Sequence, residues 1–273
     1  MSNGEADLNR YVLAHGKTGR ERLRVLARIM EEGTSHLFKV AGVTLGMTCL
    51  DVGCGGGDVS QLLARRVGTD GRVTGIDFDP VKVEMAAQEA ADAGISNLNF
   101  RAESVYDLEP DETFDVVYAR FVLSHLADPM KALSGMHGML RPGGLVIVED
   151  VEFSSHFTYP TSRAMDDYVK LYTALAATTG GDANIGPRLP GMLRQAGFAD
   201  IGMQVHQPAG VTGEVKMISP LTLQGIAGRA VEAGLATQDD VDRIEAELIA
   251  AARDRNVSMS TPRVFQTWGR KAA

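Results

Sequence analysis

The stretch Leu50-Asp51-Val52-Gly53-Cys54-Gly55-Gly56-Gly57-Asp58 closes an apolar run and leads into a helix-like one. Glycines there permit a tight turn and let a ligand approach the backbone closely. A dinucleotide fingerprint counted from Gly53 needs glycine or alanine at position 58. The chain has Asp58, so the G-x-G-x-x-G register fails and G-x-G-x-G remains. An acid against a helix N-terminus suits the helix dipole but repels a pyrophosphate. The loop therefore points to an adenosine ligand without phosphates, and a nicotinamide dehydrogenase is disfavoured. Gly75-Ile76-Asp77 ends the next apolar run, and Asp77 lies 24 residues after Gly53. A carboxylate at that spacing can accept hydrogen bonds from two vicinal ribose hydroxyls. The spacing supports a nucleoside without saying which.

These residues need a scaffold, and the hydrophobic pattern supplies one. Short apolar runs at 48–52, 72–77, 97–101, 114–119 and 144–150 read as strands. Helix-like segments at 59–67, 80–93 and 130–140 alternate with them, the pattern of a parallel sheet wound by crossover helices. Asp79-Pro80 opens the second of these helices as a cap followed by a first-turn proline. Arg141-Pro142-Gly143-Gly144 breaks the chain before the fifth strand. Upstream, Leu23, Leu26, Ala27 and Met30 give an amphipathic helix over 21–30. Downstream, helices are expected at 162–177, 191–196, 219–234 and 238–255, and strands at 201–207 and 263–268. The expectation is an α/β fold of Rossmann-like doubly wound type in a single domain, 1–273. It has an N-terminal helical segment (1–40) and a cofactor-binding core (45–151).

Composition narrows the partners. The chain has 273 residues, 44% of them hydrophobic and 23% charged, as in an ordinary folded domain. A formal charge of −8 and the absence of basic runs argue against nucleic acid. The aliphatic stretches are far short of the ~20 residues that span a bilayer, and the first residues are polar, so neither a membrane nor an export signal is expected. Cys49 and Cys54 are the two cysteines. They suit a reducing cytoplasm, and with no histidine nearby they do not suggest zinc.

The loop from Asp51 to Gly57, Asp77, the Phe114-Asp115-Val116-Val117 strand and Leu140-Arg141-Pro142-Gly143-Gly144 together resemble class I S-adenosylmethionine-dependent methyltransferases. The resemblance covers roughly residues 45–151 and is nearest to the small-molecule group that includes the quinone-biosynthesis C-methyltransferases. It implies a seven-stranded, mostly parallel sheet with its last strand antiparallel, and S-adenosylmethionine as cofactor. It places Gly53, Cys54 and Gly55 against the methionine part, with Asp51 near the ammonium group. Asp77 would hold the ribose and Phe78 lie on the adenine. The family's adenine-contacting Asp after the third strand is replaced here by Ala102-Glu103-Ser104-Val105, so that contact passes to Glu103, Ser104 or Val105. Ala119 and Arg120 occupy the cofactor-facing corner after the fourth strand. Arg120 either forks onto the methionine carboxylate or forms a surface salt bridge. Tyr11 either closes over the cofactor or simply packs.

Methyl transfer from a sulfonium is an in-line displacement that asks for alignment and exclusion of water. A general base helps when the acceptor is a phenol or an enolisable carbon, and histidine titrates in the right range. The candidates are His125 and His156, both beyond carboxyl ends of strands; His125 reads equally as a loop-fixing residue. Glu149, Asp150 and Glu152 read as hydrogen-bonded or solvated carboxylates, and no metal is expected. No Asn-Pro-Pro-aromatic run follows the fourth strand, where the chain reads Tyr118-Ala119-Arg120-Phe121. In this superfamily that absence favours a small acceptor attacked at oxygen or carbon.

Residues 153–190 and 207–258 exceed the minimal fold and carry Phe157, Tyr159, Met165, Tyr168, Tyr172 and Met217. Inserted helices of this kind either fill the core or form a substrate cap, with the 180–184 run as its mobile part. The expected function is methylation of an apolar or aromatic small metabolite, and a homodimer stays open. The competing reading is a protein of the same fold that binds S-adenosylmethionine without transferring methyl groups, as a partner subunit or a non-methylating catalyst.

Overall fold

The computed structural model describes residues 16–109 and 113–273. Strands β1 (Thr48–Val52), β2 (Arg72–Asp77), β3 (Leu98–Ala102), β4 (Phe114–Arg120) and β5 (Leu140–Glu152) are joined by β7 (Phe198–His206) and β10 (Arg263–Lys271). They form one seven-stranded sheet in the order β3-β2-β1-β4-β5-β10-β7. The neighbours from β3 to β5 run parallel, and β10 lies antiparallel to both β5 and β7. This is the Rossmann-like doubly wound arrangement.

Helices cover both faces, so the central strands can be apolar along their whole length. On one face Cys49, Val73, Val116 and Tyr118 meet α1 (Gly16–Ala41) through Leu37 and Phe38, and α2 (Asp58–Val67) through Leu63 and Val67. On the other, Leu50, Val52, Val117 and Ala119 meet α4 (Pro129–Gly138) and α6 (Leu189–Gln195). Successive strand residues thus divide between two cores, as the pleat requires. The order reverses at β1, whose neighbours are β2 and β4. A crevice opens there, beyond the carboxyl ends of the strands, where open α/β sheets bind ligands.

Helix α3 (Pro80–Asp92) starts as expected: the Asp79 side chain accepts from the amides of Val81 and Lys82, with Pro80 in the first turn. A third apolar cluster lies past the end of β5. It joins Met30 of α1, Phe153, and buried faces of α5 (Arg163–Thr178), α7 (Ile218–Glu232) and α8 (Gln238–Arg253).

Three features depart from expectation. Helix α1 is far longer than 21–30, because Leu37, Phe38 and Ala41 continue its buried face against the sheet. The Arg141-Pro142-Gly143-Gly144 run does not precede β5 but lies inside it, taken up by a register shift opposite Phe114 and Val116 and by Gly143 at φ +74. A second sheet, β6 (Thr158–Tyr159), β9 (Ser258–Ser260) and β8 (Ala209–Gly210), has strands too short to show any periodicity. Among the described residues no helix is long and apolar enough to cross a membrane.

Candidate active site

The turn after β1 is built on left-handed glycines. Gly53, Gly55 and Gly57 have φ of +68, +54 and +77, the three positions of the G-x-G-x-G spacing. A Cβ on Gly53 would lie 2.5 Å from Val122, and one on Gly57 would lie 2.7 Å from Phe100. Both conformation and room demand glycine there. The turn is anchored by the Cys54 amide on the Ile76 carbonyl (2.8 Å) and by the Gly55 amide on Asp77 Oδ2 (2.9 Å). Asp77 Oδ1 accepts from the Asp79 amide at 3.0 Å. Two backbone donors therefore fix a carboxylate that still has lone pairs for a ligand, and burial raises its pKa despite Lys82 and those amides.

Asp51 is buried at the floor of the crevice and accepts from Ser60 Oγ at 2.6 Å. Burial lifts its pKa to about 7 against the pull of Ser60 and Arg120. A cavity of about 200 Å³ begins here. Asp51, Gly53, Cys54, Gly55, Asp77, Phe78, Glu103, Ser104, Val105 and Arg120 all border it. The Cys54 thiol is pushed well above its ordinary range by burial, which leaves it inert. Phe78 carries Lys82 Nζ at 5.6 Å from its ring centre, and Glu103 is tied back to Asp77 by its amide.

Ala119 departs from the expectation. It is fully buried in the core between β1 and β5 and does not border the cavity, because β4 turns that side chain to the helix side. Tyr11 lies outside the described residues.

Arg120 makes no carboxylate ion pair among the described residues. Its Nη1 donates to Thr34 Oγ1 at 3.2 Å, and Thr34 in turn donates to buried Glu149 at 2.9 Å. Glu149 also accepts from Tyr118 and from Gln266 Nε2 (2.6 Å). The surface-salt-bridge alternative for Arg120 is thus not what the fold builds. The adjoining Phe121 sits at φ +55, a strained conformation that places it at the cavity wall.

Asp58 has an unforeseen partner. Arg20 of α1, 7% exposed, forks onto Asp58 (2.6 and 2.9 Å) and onto Glu89 (2.9 and 2.5 Å). A Cβ on Gly56 would come within 2.6 Å of this guanidinium. The long N-terminal helix is thereby clamped across the glycine turn, and Leu23 and Leu26 from it line the cavity.

The far half of the cavity is aromatic. Phe153 stacks on Tyr172 with centroids 3.8 Å apart and meets Tyr168 edge-on at 5.5 Å. His156 lies edge-on to Phe153 at 4.6 Å, and its Nδ1 is 2.8 Å from the Phe153 carbonyl. A carbonyl only accepts, so Nδ1 carries the proton and Nε2 keeps its lone pair. Burial lowers this ring's pKa to about 4. His125, in the short turn Leu123–His125, is likewise lowered to about 4 by burial, with Arg22 and Lys82 adding to it. That turn is held by Asp150, fully buried, whose Oδ2 accepts from the Ser124 amide at 3.0 Å. Ion-pairing carboxylates thus do not converge: Glu149 and Asp150 are spent on internal hydrogen bonds. Among the described residues no group of three potential ligands could hold a metal.

The 180–184 run, expected to be mobile, is fastened to the His125 turn. The Asp182 amide donates to the Ser124 carbonyl (2.9 Å), and Asn184 Oδ1 accepts from the Ser154 amide (2.8 Å). Arg22 also enters this half, its Nε donating to Thr222 Oγ1 at 3.0 Å.

A family model described as a methyltransferase domain matches residues 44–197. The chain belongs to this methyltransferase family. It is a class I S-adenosylmethionine-dependent member, similar to the quinone-biosynthesis enzymes. The ubiquinone/menaquinone biosynthesis C-methyltransferase UbiE of Enterobacter sp. (strain 638) is 33% identical over 151 residues, 53% of this chain and 59% of that one. The chain thus matches about three fifths of the length of such curated relatives. Among solved structures, a Haemonchus contortus phosphoethanolamine N-methyltransferase 2 in complex with S-adenosylhomocysteine aligns with a TM-score of 0.53 and 18% identity. That alignment covers 93% of this chain and 53% of that one. The [4+2]-cyclase SpnF aligns with a TM-score of 0.52 and 22% identity, covering 88% and 81%.

For this family member, sequence reasoning missed Arg20, Arg22, Leu23, Leu26 and Thr222 as neighbours of the crevice. The periodicity of α1 signals a buried face but not which ligand edge it crosses. Only the 58-position acid, read as a repellent, hinted that a cation had to sit nearby.

Proposed function

We propose that the protein transfers a methyl group from S-adenosylmethionine to an oxygen or carbon of an apolar or aromatic small molecule. The observation that carries this reading is the continuity of one cavity from the Gly53 turn and Asp77 to the Phe153, Tyr168, Tyr172 and His156 wall. The donor end fits a nucleoside: left-handed glycines expose backbone, the Asp77 carboxylate is preset, and the acid Asp58 stands at the helix start where it would repel a pyrophosphate. Asp77 would accept from the ribose hydroxyls. Phe78 would lie against the adenine, with Glu103, Ser104 and Val105 at its edge. Arg120, oriented by Thr34, would take the methionine carboxylate, and Asp51 the ammonium, with Gly53, Cys54 and Gly55 along the chain between them.

The donor supplies a methyl group on a cationic sulfur. What the chain must add is alignment and dryness. The aromatic wall supplies both, holding a flat acceptor against the donor end and keeping water out. His156 is oriented by the Phe153 carbonyl as a base is oriented in proton-transfer sites, and Nε2 would accept the proton of an acidic hydroxyl or carbon acid. His125, fixed on the turn behind it, would shape the pocket. The helices of 153–190 and 207–258 would serve as the cap for the acceptor.

Titration calorimetry with S-adenosylhomocysteine, followed by incubation with labelled S-adenosylmethionine and a library of phenols, quinols and enols, tests the reading. Saturable binding and a labelled product are expected. Absence of binding overturns it. Tight binding without any labelled product would instead favour a non-methylating role, as the name of the cyclase with this fold illustrates.

A further inference from the structure

Helix α1 carries Arg20, Arg22, Arg24 and Arg28. Arg20 is neutralised by Asp58 and Glu89, Arg24 by Glu89 and Glu21, and Arg28 by Glu214 and Glu21. Arg22, the one that borders the cavity, has no carboxylate within 4.0 Å among the described residues. Its side chain is nonetheless placed with care. Nε donates to Thr222 Oγ1, which is itself buried and donates to the Ile218 carbonyl at 2.7 Å. Leu26, Ile218 and Tyr168 line the same cavity. A half-buried cation at a cavity wall is stabilised by a counter-charge, and none of the described residues brings one within 4.0 Å. The groups that feel its field are His125 and Tyr168, both neutral; His125 is held neutral partly by Arg22.

We infer that Arg22 is the acceptor-recognition residue of this site and that the acceptor is an organic acid, its carboxylate paired with the Nη1 and Nη2 edge of the guanidinium. With Nε committed to Thr222, that edge is the one left, and its two parallel donors match the two oxygens of a carboxylate. The apolar body of the same molecule lies on the Phe153, Tyr168 and Tyr172 wall. This rests on the methyl-transfer reading above and adds the charge of the substrate to it.

The test uses the full chain saturated with S-adenosylhomocysteine and two probes of equal shape, 2-naphthoate and 2-naphthamide, followed by calorimetry. The acid is expected to bind at least about tenfold tighter than the amide, the scale of a charge-assisted fork. Arg22→Gln should erase the preference, and Arg22→Lys should restore only part of it, since an ammonium lacks the fork. Unaltered S-adenosylhomocysteine affinity in both variants shows that the donor half is intact. Equal binding of acid and amide, a preference that survives Arg22→Gln, or no binding of the acid at millimolar concentration overturns the inference. In parallel, labelled-methyl transfer to paired acids and amides separates it from the function itself. Amides methylated as well as acids would sink the role of Arg22 while leaving the methyltransferase, whereas loss of donor binding would sink the latter.

Discussion

The two halves of the cavity are made differently and titrate in opposite senses. The donor half comes from four strand ends, β3, β2, β1 and β4, adjacent in the sheet and read almost directly from their local motifs. Its carboxylates, Asp51 and Asp77, are raised by burial. The acceptor half gathers α1, α5, α7 and two short turns that are distant in sequence, and its histidines are lowered by burial. Both shifts have one cause, since desolvation disfavours whichever form is charged. Burial in one crevice therefore keeps an acid partly protonated on one side and a base unprotonated on the other.

That contrast can be broken from either side. The largest effect is expected from His156→Phe, which keeps the edge-on ring contacts and removes Nε2. Turnover of the acceptor found in the labelled screen should fall by ~10²-fold or more, with donor affinity unchanged by calorimetry. A drop confined to KM would recast His156 as a packing residue.

Asp77→Ala acts on the other half. Losing both ribose hydrogen bonds should weaken S-adenosylhomocysteine binding by roughly 1 to 3 kcal/mol, and an unchanged dissociation constant would contradict the ribose role. A pH series sharpens the comparison next. Asp51 is raised to about 7, so it is largely protonated below that value and cannot accept an ammonium as an anion. Donor affinity should fall by up to about tenfold from pH ~8 to ~6, and Asp51→Asn should flatten the curve.

The same shifts set opposing slopes in stability. A raised acid stabilises the fold most below its unfolded pKa, and that contribution is lost as pH climbs from 3.8 through about 7. A lowered histidine contributes above 6.5, and that contribution is lost as pH falls towards about 4. The smallest effect concerns the seam between the halves. Arg20→Met leaves Asp58 and Glu89 without their shared cation; both are about a quarter exposed. The cost in denaturant unfolding should be about 1 to 2 kcal/mol, less than for a fully buried pair. A loss of donor affinity should accompany it as α1 loosens over Gly56.

Much of the donor half was legible because its information is local. The spacing of Gly53, Gly55 and Gly57 encodes three left-handed turns within five residues, and Asp77 follows at the end of the next strand. Ala119 shows the limit of even that reading: a motif places a residue at a corner, but only the pleat decides that its side chain enters the core. The Arg141 to Gly144 break misled for a related reason, because a bulge absorbed the glycine and proline inside β5 rather than ending it. In the acceptor half Tyr168 and Tyr172 could be seen but not assigned to core or pocket, and both readings hold, since they pack a cluster and line the cavity; Phe157 and Tyr159, read the same way, do neither and lie exposed.

Sequence by itself determined the α/β alternation, the left-handed glycine turn and the family, because hydrophobic period and backbone conformation are encoded within a few residues. Tertiary structure alone decided that Arg20 pairs with Asp58 across 38 residues and that Arg22 meets Thr222 across 200. It also decided that His156 donates a hydrogen bond from Nδ1 to the Phe153 carbonyl. Charge and protonation in a crevice depend on which distant groups share its low dielectric, and no spacing along the chain records that.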